Sequence, residues 1–292
     1  MPRRLIPACV LSLFAAVLAA SCQSAPTTPA SAATAAAPAA AILRLPDGKP
    51  NLNGIWQTIG SAHWDLENHQ ARGGPVLELG AIAAVPAGMS VIEGDVIPYQ
   101  DWAAAKKKDN YDRWLERDPE VKCYLPGIPR ATYMPFPFQI LQSHDGDVLM
   151  AYEYASASRV VKMGPTEPPP VDSWMGQSTG KWEGDTLVVD TTGFNDRTWF
   201  DRAGNFHSEA LHVVERFTPK TPDLIEYEAT IEDPKVFTRA WKIQLPLYRR
   251  HDRNAQLLEF KCVEFVEELM YGHLRKKTGN EKPFAAARMR WP

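Results

Sequence analysis

The chain has 292 residues, 45% of them hydrophobic, which is enough for one large domain or a compact domain built as two halves. Its 32 basic and 35 acidic residues give a formal charge of −3, a balance that argues against a face built for nucleic acid or an anionic membrane. Beyond the first residues, no apolar run is long enough to span a bilayer.

Arg3 and Arg4 precede an apolar stretch, Leu5 to Ala20, broken only by Pro7 and Ser12. Ala19, Ala20 and Ser21 then lead into Cys22. A positive start, an apolar middle and small residues at the end predict an export signal over 1–21. Cys22 at that position resembles the lipobox of bacterial lipoproteins, with Leu18 four residues ahead of it. The resemblance implies lipidation of Cys22 and membrane contact through that lipid. Gln23 after the cysteine resembles the outer-membrane pattern of enteric lipoproteins, so the expected place is the envelope, facing the periplasm. Removing Arg3 and Arg4 with the leader leaves 30 basic and 35 acidic residues, a formal charge of −5.

Residues 22–41 are almost entirely Ala, Pro, Ser and Thr after Gln23, and they bury too little apolar surface to offset chain entropy. They read as a disordered tether. Of the four cysteines, Cys9 lies in the leader and Cys22 is the lipid site, leaving Cys123 and Cys262. In an oxidising compartment they suggest a disulfide, with two separate buried thiols as the alternative.

Residues 42–135 form an irregular segment with one predicted helix near Tyr99–Arg117, whose buried side draws on Trp102, Ala105, Tyr111, Trp114 and Leu115. The stretch PGIPRATYMPFPF is too proline-rich for a regular helix or a central strand. From Phe136 to the end the texture is β. Predicted strands Phe138–Ser143 and Val148–Tyr154 flank the turn Asp145-Gly146, and Ser178–Trp182 and Thr186–Thr192 flank Glu183-Gly184-Asp185. Further strands are predicted at Leu211–Thr218, Leu224–Ile231, Phe237–Pro246 and Leu257–Phe265, with a short helix in VEFVEELMYGHLRKK. About eight strands with short connections predict an antiparallel meander closed as a barrel or packed as a sandwich.

Asn53-Gly54-Ile55-Trp56 resembles the Gly-x-Trp that opens the first strand of lipocalins, and Gly180–Val188, GKWEGDTLV, resembles a hairpin of lipocalin-like bacterial domains. PNLNGIW, DPEVKCYLPGIPRATYMPFPFQI, WEGDTLVVDTTGFNDRTWFDRAGNFHSEALHVVERF, YEATIEDPKVFTRAWK and LLEFKCVEFVEE resemble a widespread uncharacterised family of exported bacterial proteins. That resemblance implies a β-rich exported domain and brings no catalytic residue with it.

The polar connection Gly193–Glu209 offers Asn195, Asp196, Arg197, Trp199, Asp201, Arg202 and His207, with His212 just beyond. It is longer than a hairpin needs, so it either closes over a ligand or plugs the barrel end with Trp199 and Phe206. Strand alternation places His212 and Arg216 on one face and Glu226 and Glu228 on one face of the next strand. Outward, these are surface pairs; inward, they form a charged pocket. The outward orientation is preferred because the opposing faces are more apolar.

Three functions follow. The leading one is a small-molecule binding protein whose barrel cavity holds a partly aromatic or apolar ligand, with Asn195, Trp199, Arg239, Trp241, Tyr152 and Arg159 as lining residues. The second is a periplasmic hydrolase or lyase, with His207 or His212 as base and Asp196, Asp201 or Glu228 in support. The third is a structural envelope lipoprotein, which would expose an apolar patch. No spacing enforces a shared metal point, and phosphate loops and dinucleotide fingerprints do not occur, so no metal or cofactor is expected.

Overall fold

Alternating apolar residues build the barrel. In the strand His212–Thr221, Val213, Glu215, Phe217 and Pro219 turn inward while His212, Val214, Arg216 and Thr218 turn out; Leu224–Glu232 and Trp241–Arg249 alternate similarly. The computed structural model describes residues 41–74 and 84–260. Nine strands form a closed barrel: β1 Gly54–Gln57, β2 Phe138–Gln142, β3 Val148–Tyr152, β4 Ser158–Met163, β5 Gln177–Glu183, β6 Thr186–Thr192, β7 His212–Thr221, β8 Leu224–Glu232 and β9 Trp241–Arg249. Among the described residues the α-helices, all before β2, are α1 Asp101–Asp112, α2 Trp114–Arg117 and α3 Arg130–Tyr133.

The barrel is mainly β, as expected, but not a pure meander. All neighbours are antiparallel except β4 and β5. Strict alternation around nine strands would leave the first and last parallel, so one parallel pair lets β1 meet β9 antiparallel. Residues 164–176, rich in proline, carry the chain back along the barrel between β4 and β5. β4 itself is absent from the sequence expectations. Strand directions then put the long connections 58–137, 193–211 and 233–240 at one end, while tight turns close the other. Two of those turns are the expected ones: Gly146 and Gly184 take positive φ (94° and 59°), which glycine adopts without a Cβ penalty.

β1 is short and meets β9 only at Trp56–Arg249 and Gln57–Tyr248. The irregular segment covers the rest of that seam: Glu93 donates to Lys242 O, Gln244 donates to Val91 O, and Ile92 bridges Ile243. The predicted helix is interrupted between α1 and α2, and its buried face is corrected. Ala103 and Asn110 are buried on α1, whereas Trp102 is 51% exposed and Ala105 is also exposed. The Phe237–Pro246 strand begins only at Trp241, and Leu257–Phe260 is not a strand. The rest of that stretch, the C-terminal helix, Cys22 and Cys262 lie outside the described residues. On the outer wall Leu141, Leu149 and Val160 sit side by side on β2, β3 and β4 and are exposed.

Candidate functional site

The lumen is occupied by side chains. Phe138, Ile140, Met150, Val161, Leu187, Val189, Phe217, Tyr227, Ile243 and Leu247 belong to one continuous buried core. Among them lies a polar network on β4 and β7. Arg159 donates to both carboxylate oxygens of Glu215, to the Tyr152 hydroxyl (3.0 Å) and to Ser178 Oγ (3.4 Å). Tyr227 donates to Glu215 (2.8 Å), and Ser178 shares a hydrogen bond with Thr191 (3.0 Å). Burial works against the Arg159 cation, but Glu215 more than offsets this and raises its pKa.

The connection 193–211 forms a plug. Phe200 packs edge-on against Trp241 (5.5 Å between ring centroids), which also meets Phe237 (5.4 Å). The Tyr133 hydroxyl donates to Phe200 O (2.8 Å). Asp201 holds the bend: it accepts from Leu66 N, Ala203 N, Asn205 N and Asn205 Nδ2 at 2.6–3.2 Å. Burial and then the Asp65 carboxylate raise Asp201 to about 7, against those hydrogen bonds.

The five residues read as acid–base candidates do not converge. His207 is buried; Nδ1 donates to Ser208 O (2.8 Å), so in the neutral ring Nε2 accepts from the Thr198 hydroxyl (2.6 Å). His212 stands on the outer wall between Asp190 (3.1 Å) and Glu232 (3.4 Å). Asp196 is exposed, Asp201 is locked into the plug, and Glu228 faces outward toward Lys242 (3.2 Å). Arg216 also faces outward and pairs with Glu183 (2.9 Å). Of the ligand candidates, Tyr152, Arg159 and Trp241 are buried inside, and Trp199 is in the plug. Asn195 receives Arg197 N (3.2 Å), and Arg239 is exposed, donating to Ala240 O (3.1 Å). Among the described residues, no three His, Cys, Asp or Glu side chains are grouped to hold a metal.

What the sequence reading missed lies beside the plug. Asp118 caps the turn Pro119–Lys122 through Glu120 N (2.9 Å) and receives both ends of the Arg130 guanidinium (2.9 and 3.1 Å). Glu120 receives Arg130 (2.6 Å) and, from the plug, Arg202 Nε (2.7 Å) and Nη2 (2.6 Å). Burial would push Glu120 up, but Arg130 and Arg202 bring it down to about 2. The Arg202 guanidinium lies over Trp64 (4.1 Å) and, farther off, meets Trp114 (5.7 Å). A cleft of about 300 Å³ opens there, lined by Trp64, Arg72, Tyr111, Trp114 and Arg202 among others. A neighbouring cleft of about 420 Å³ shares Arg72 and Tyr111 and adds Asp65, Asn68, His69 and Lys107. The two clefts adjoin at Arg72 and Tyr111 and make a two-part groove beside α1. The Arg72 guanidinium lies over Tyr111 (4.7 Å) and has no ion pair among the described residues. The available signal was charge set among prolines and aromatics in DPEVKCYLPGIPR, a texture that favours neither helix nor strand and so forces its charges to find partners.

Compared with family models, with curated proteins and with solved structures, the chain matches none.

Proposed function

We propose that this is an exported, lipid-anchored protein of the bacterial envelope that binds a small, partly aromatic molecule, and that its site is the groove beside α1 rather than the lumen. The observation that carries this reading is the groove itself: three aromatic side chains and two guanidiniums lining a cleft of about 300 Å³, within the size range of small-molecule sites. The packed lumen leaves the capped end as the better place for a ligand. The leader and Cys22 support the anchoring, and no helix among the described residues is long and apolar enough to cross a membrane.

The proposed Cys123–Cys262 disulfide has a supporting path. Phe260 packs on Tyr154 (4.9 Å), and Tyr154 donates to Glu120 O (3.1 Å), three positions before Cys123. The structural-lipoprotein alternative rests on Leu141, Leu149 and Val160, and three side chains are a small fraction of a standard interface.

Native mass spectrometry of the mature protein purified from its own host tests the binding reading. A small molecule is expected to travel with the protein and to be lost on Trp64→Ala substitution. A bare protein, with no molecule from the host extract able to quench its tryptophan fluorescence, would overturn it.

A further inference from the structure

We propose that the groove selects a small aromatic carboxylate, received by Arg72 and Arg202 between the walls formed by Trp64, Tyr111 and Trp114. This rests on the groove being the binding site and names the chemistry it takes.

The charge balance points to a monoanion. Arg202 is already neutralised by Glu120, to which it gives Nε and Nη2, while its Nη1 makes no hydrogen bond among the described residues. Arg130 is matched by Asp118, Lys107 by Glu67 and Lys108 by Asp112. Asp112 is the acidic lining residue of the smaller cleft. What is left over in that cleft is the single positive charge of Arg72, exposed and held against Tyr111; the acid that the neighbouring cleft adds, Asp65, is buried and accepts from Glu67 N (3.1 Å).

The geometry points to a planar acceptor. Glu120 fixes the Arg202 plane from one edge and Trp64 supports its face, so the guanidinium loses little freedom when a ligand docks. Guanidiniums recognise carboxylates by paired N–H donors, and hydrogen bonds to charged partners are the stronger kind. Aromatic walls favour a ring over an aliphatic chain.

The test is isothermal titration of the full mature protein with benzoate, benzyl alcohol and inorganic phosphate. Benzoate is expected to bind at one site per chain, roughly ten- to a hundredfold more tightly than benzyl alcohol, the range for losing a charge-assisted hydrogen bond. Arg72→Gln, at an exposed position, is expected to weaken benzoate by a similar factor while leaving the thermal midpoint unchanged, and Arg253→Gln at a distant exposed position to change nothing. Equal affinity for benzoate and benzyl alcohol, phosphate binding as tightly as benzoate, or no heat with any probe in the millimolar range would overturn the proposal. A non-anionic molecule found by native mass spectrometry would sink this inference and leave the binding reading standing.

Discussion

Glu120 stands between two arginines that serve different regions of the molecule. Arg130 ties it to Asp118 and to the proline-rich segment, and Arg202 ties it to the plug and the groove. Removing its charge would leave the largely buried Arg202 guanidinium without an anion and Arg130 with Asp118 alone. Glu120→Gln is therefore expected to cost about 3–5 kcal/mol in urea unfolding, the range for breaking one partner out of a buried ion pair. A loss comparable to an ordinary surface substitution would mean that water replaces the carboxylate. His63, next to Trp64, is buried with its Nδ1 unpartnered, and burial lowers it to about 3. The unfolded chain takes up this proton near the ordinary value of 6.5. The stability from keeping His63 neutral is therefore whole above 6.5 and lost as pH falls toward 3. Glu120 adds a second loss between 4.5 and about 2. Asp201 runs the other way, its contribution being whole below 3.8 and lost as pH rises through about 7. His63→Phe should flatten the acid limb between 6.5 and 3 in thermal melts taken across pH; an unchanged slope there would assign the limb to other groups.

At the scale of elements, what was legible had a regular period and what was not had a local exception. The hairpins β2–β3 and β5–β6 were readable because Asp145-Gly146 and Glu183-Gly184-Asp185 announce turns between alternating strands. β7 and β8 were readable for the same reason, including the outward face of His212 and Arg216. β4 reverses the rule: Arg159 points in and Val160 points out, so its alternation names the wrong face. Helix α1 hides its buried side for a related reason. Asn110 gives a hydrogen bond to Gly204 O (3.3 Å), and a Cβ on Gly204 would sit 2.7 Å from Tyr111 N, so a close backbone approach rather than an apolar stripe sets the contact. The groove could not be seen because it joins Trp64, Arg72, Tyr111 and Arg202 from three separate stretches. The plug depends on Asp201 accepting at both oxygens. Asp201→Asn would set an amide NH2 against a donor at Leu66 N or Ala203 N, and is expected to cost about 1–3 kcal/mol, the penalty of an unmet buried donor. Hydrogen exchange at the Leu66 amide checks this: protection should fall there first, and a uniform fall over the whole barrel would show that the plug does not open separately.

For the molecule as a whole, the single parallel pair does more than close the ring. It carries the chain from β4 to β5, and β4 supplies Arg159 to meet Glu215 of β7 inside the barrel. An ion pair so deeply buried is a poor source of net stability, because desolvation of both charges offsets most of their attraction. Two explanations for its presence make different predictions. If it only fixes the packing of the lumen, Arg159→Met and Glu215→Leu should each cost about 3–5 kcal/mol, while the double substitution should return close to the original stability or exceed it. Urea unfolding of all four proteins, read as a double-mutant cycle, measures this directly. The groove reading adds a condition that stability alone does not test. Because Arg72, Tyr111 and Trp64 lie outside the lumen, the doubly substituted protein should still carry its ligand from the host with unchanged affinity. A double variant that stays folded but loses the ligand would move the binding site from the groove into the barrel, and would make the Arg159–Glu215 pair a recognition element rather than a packing one.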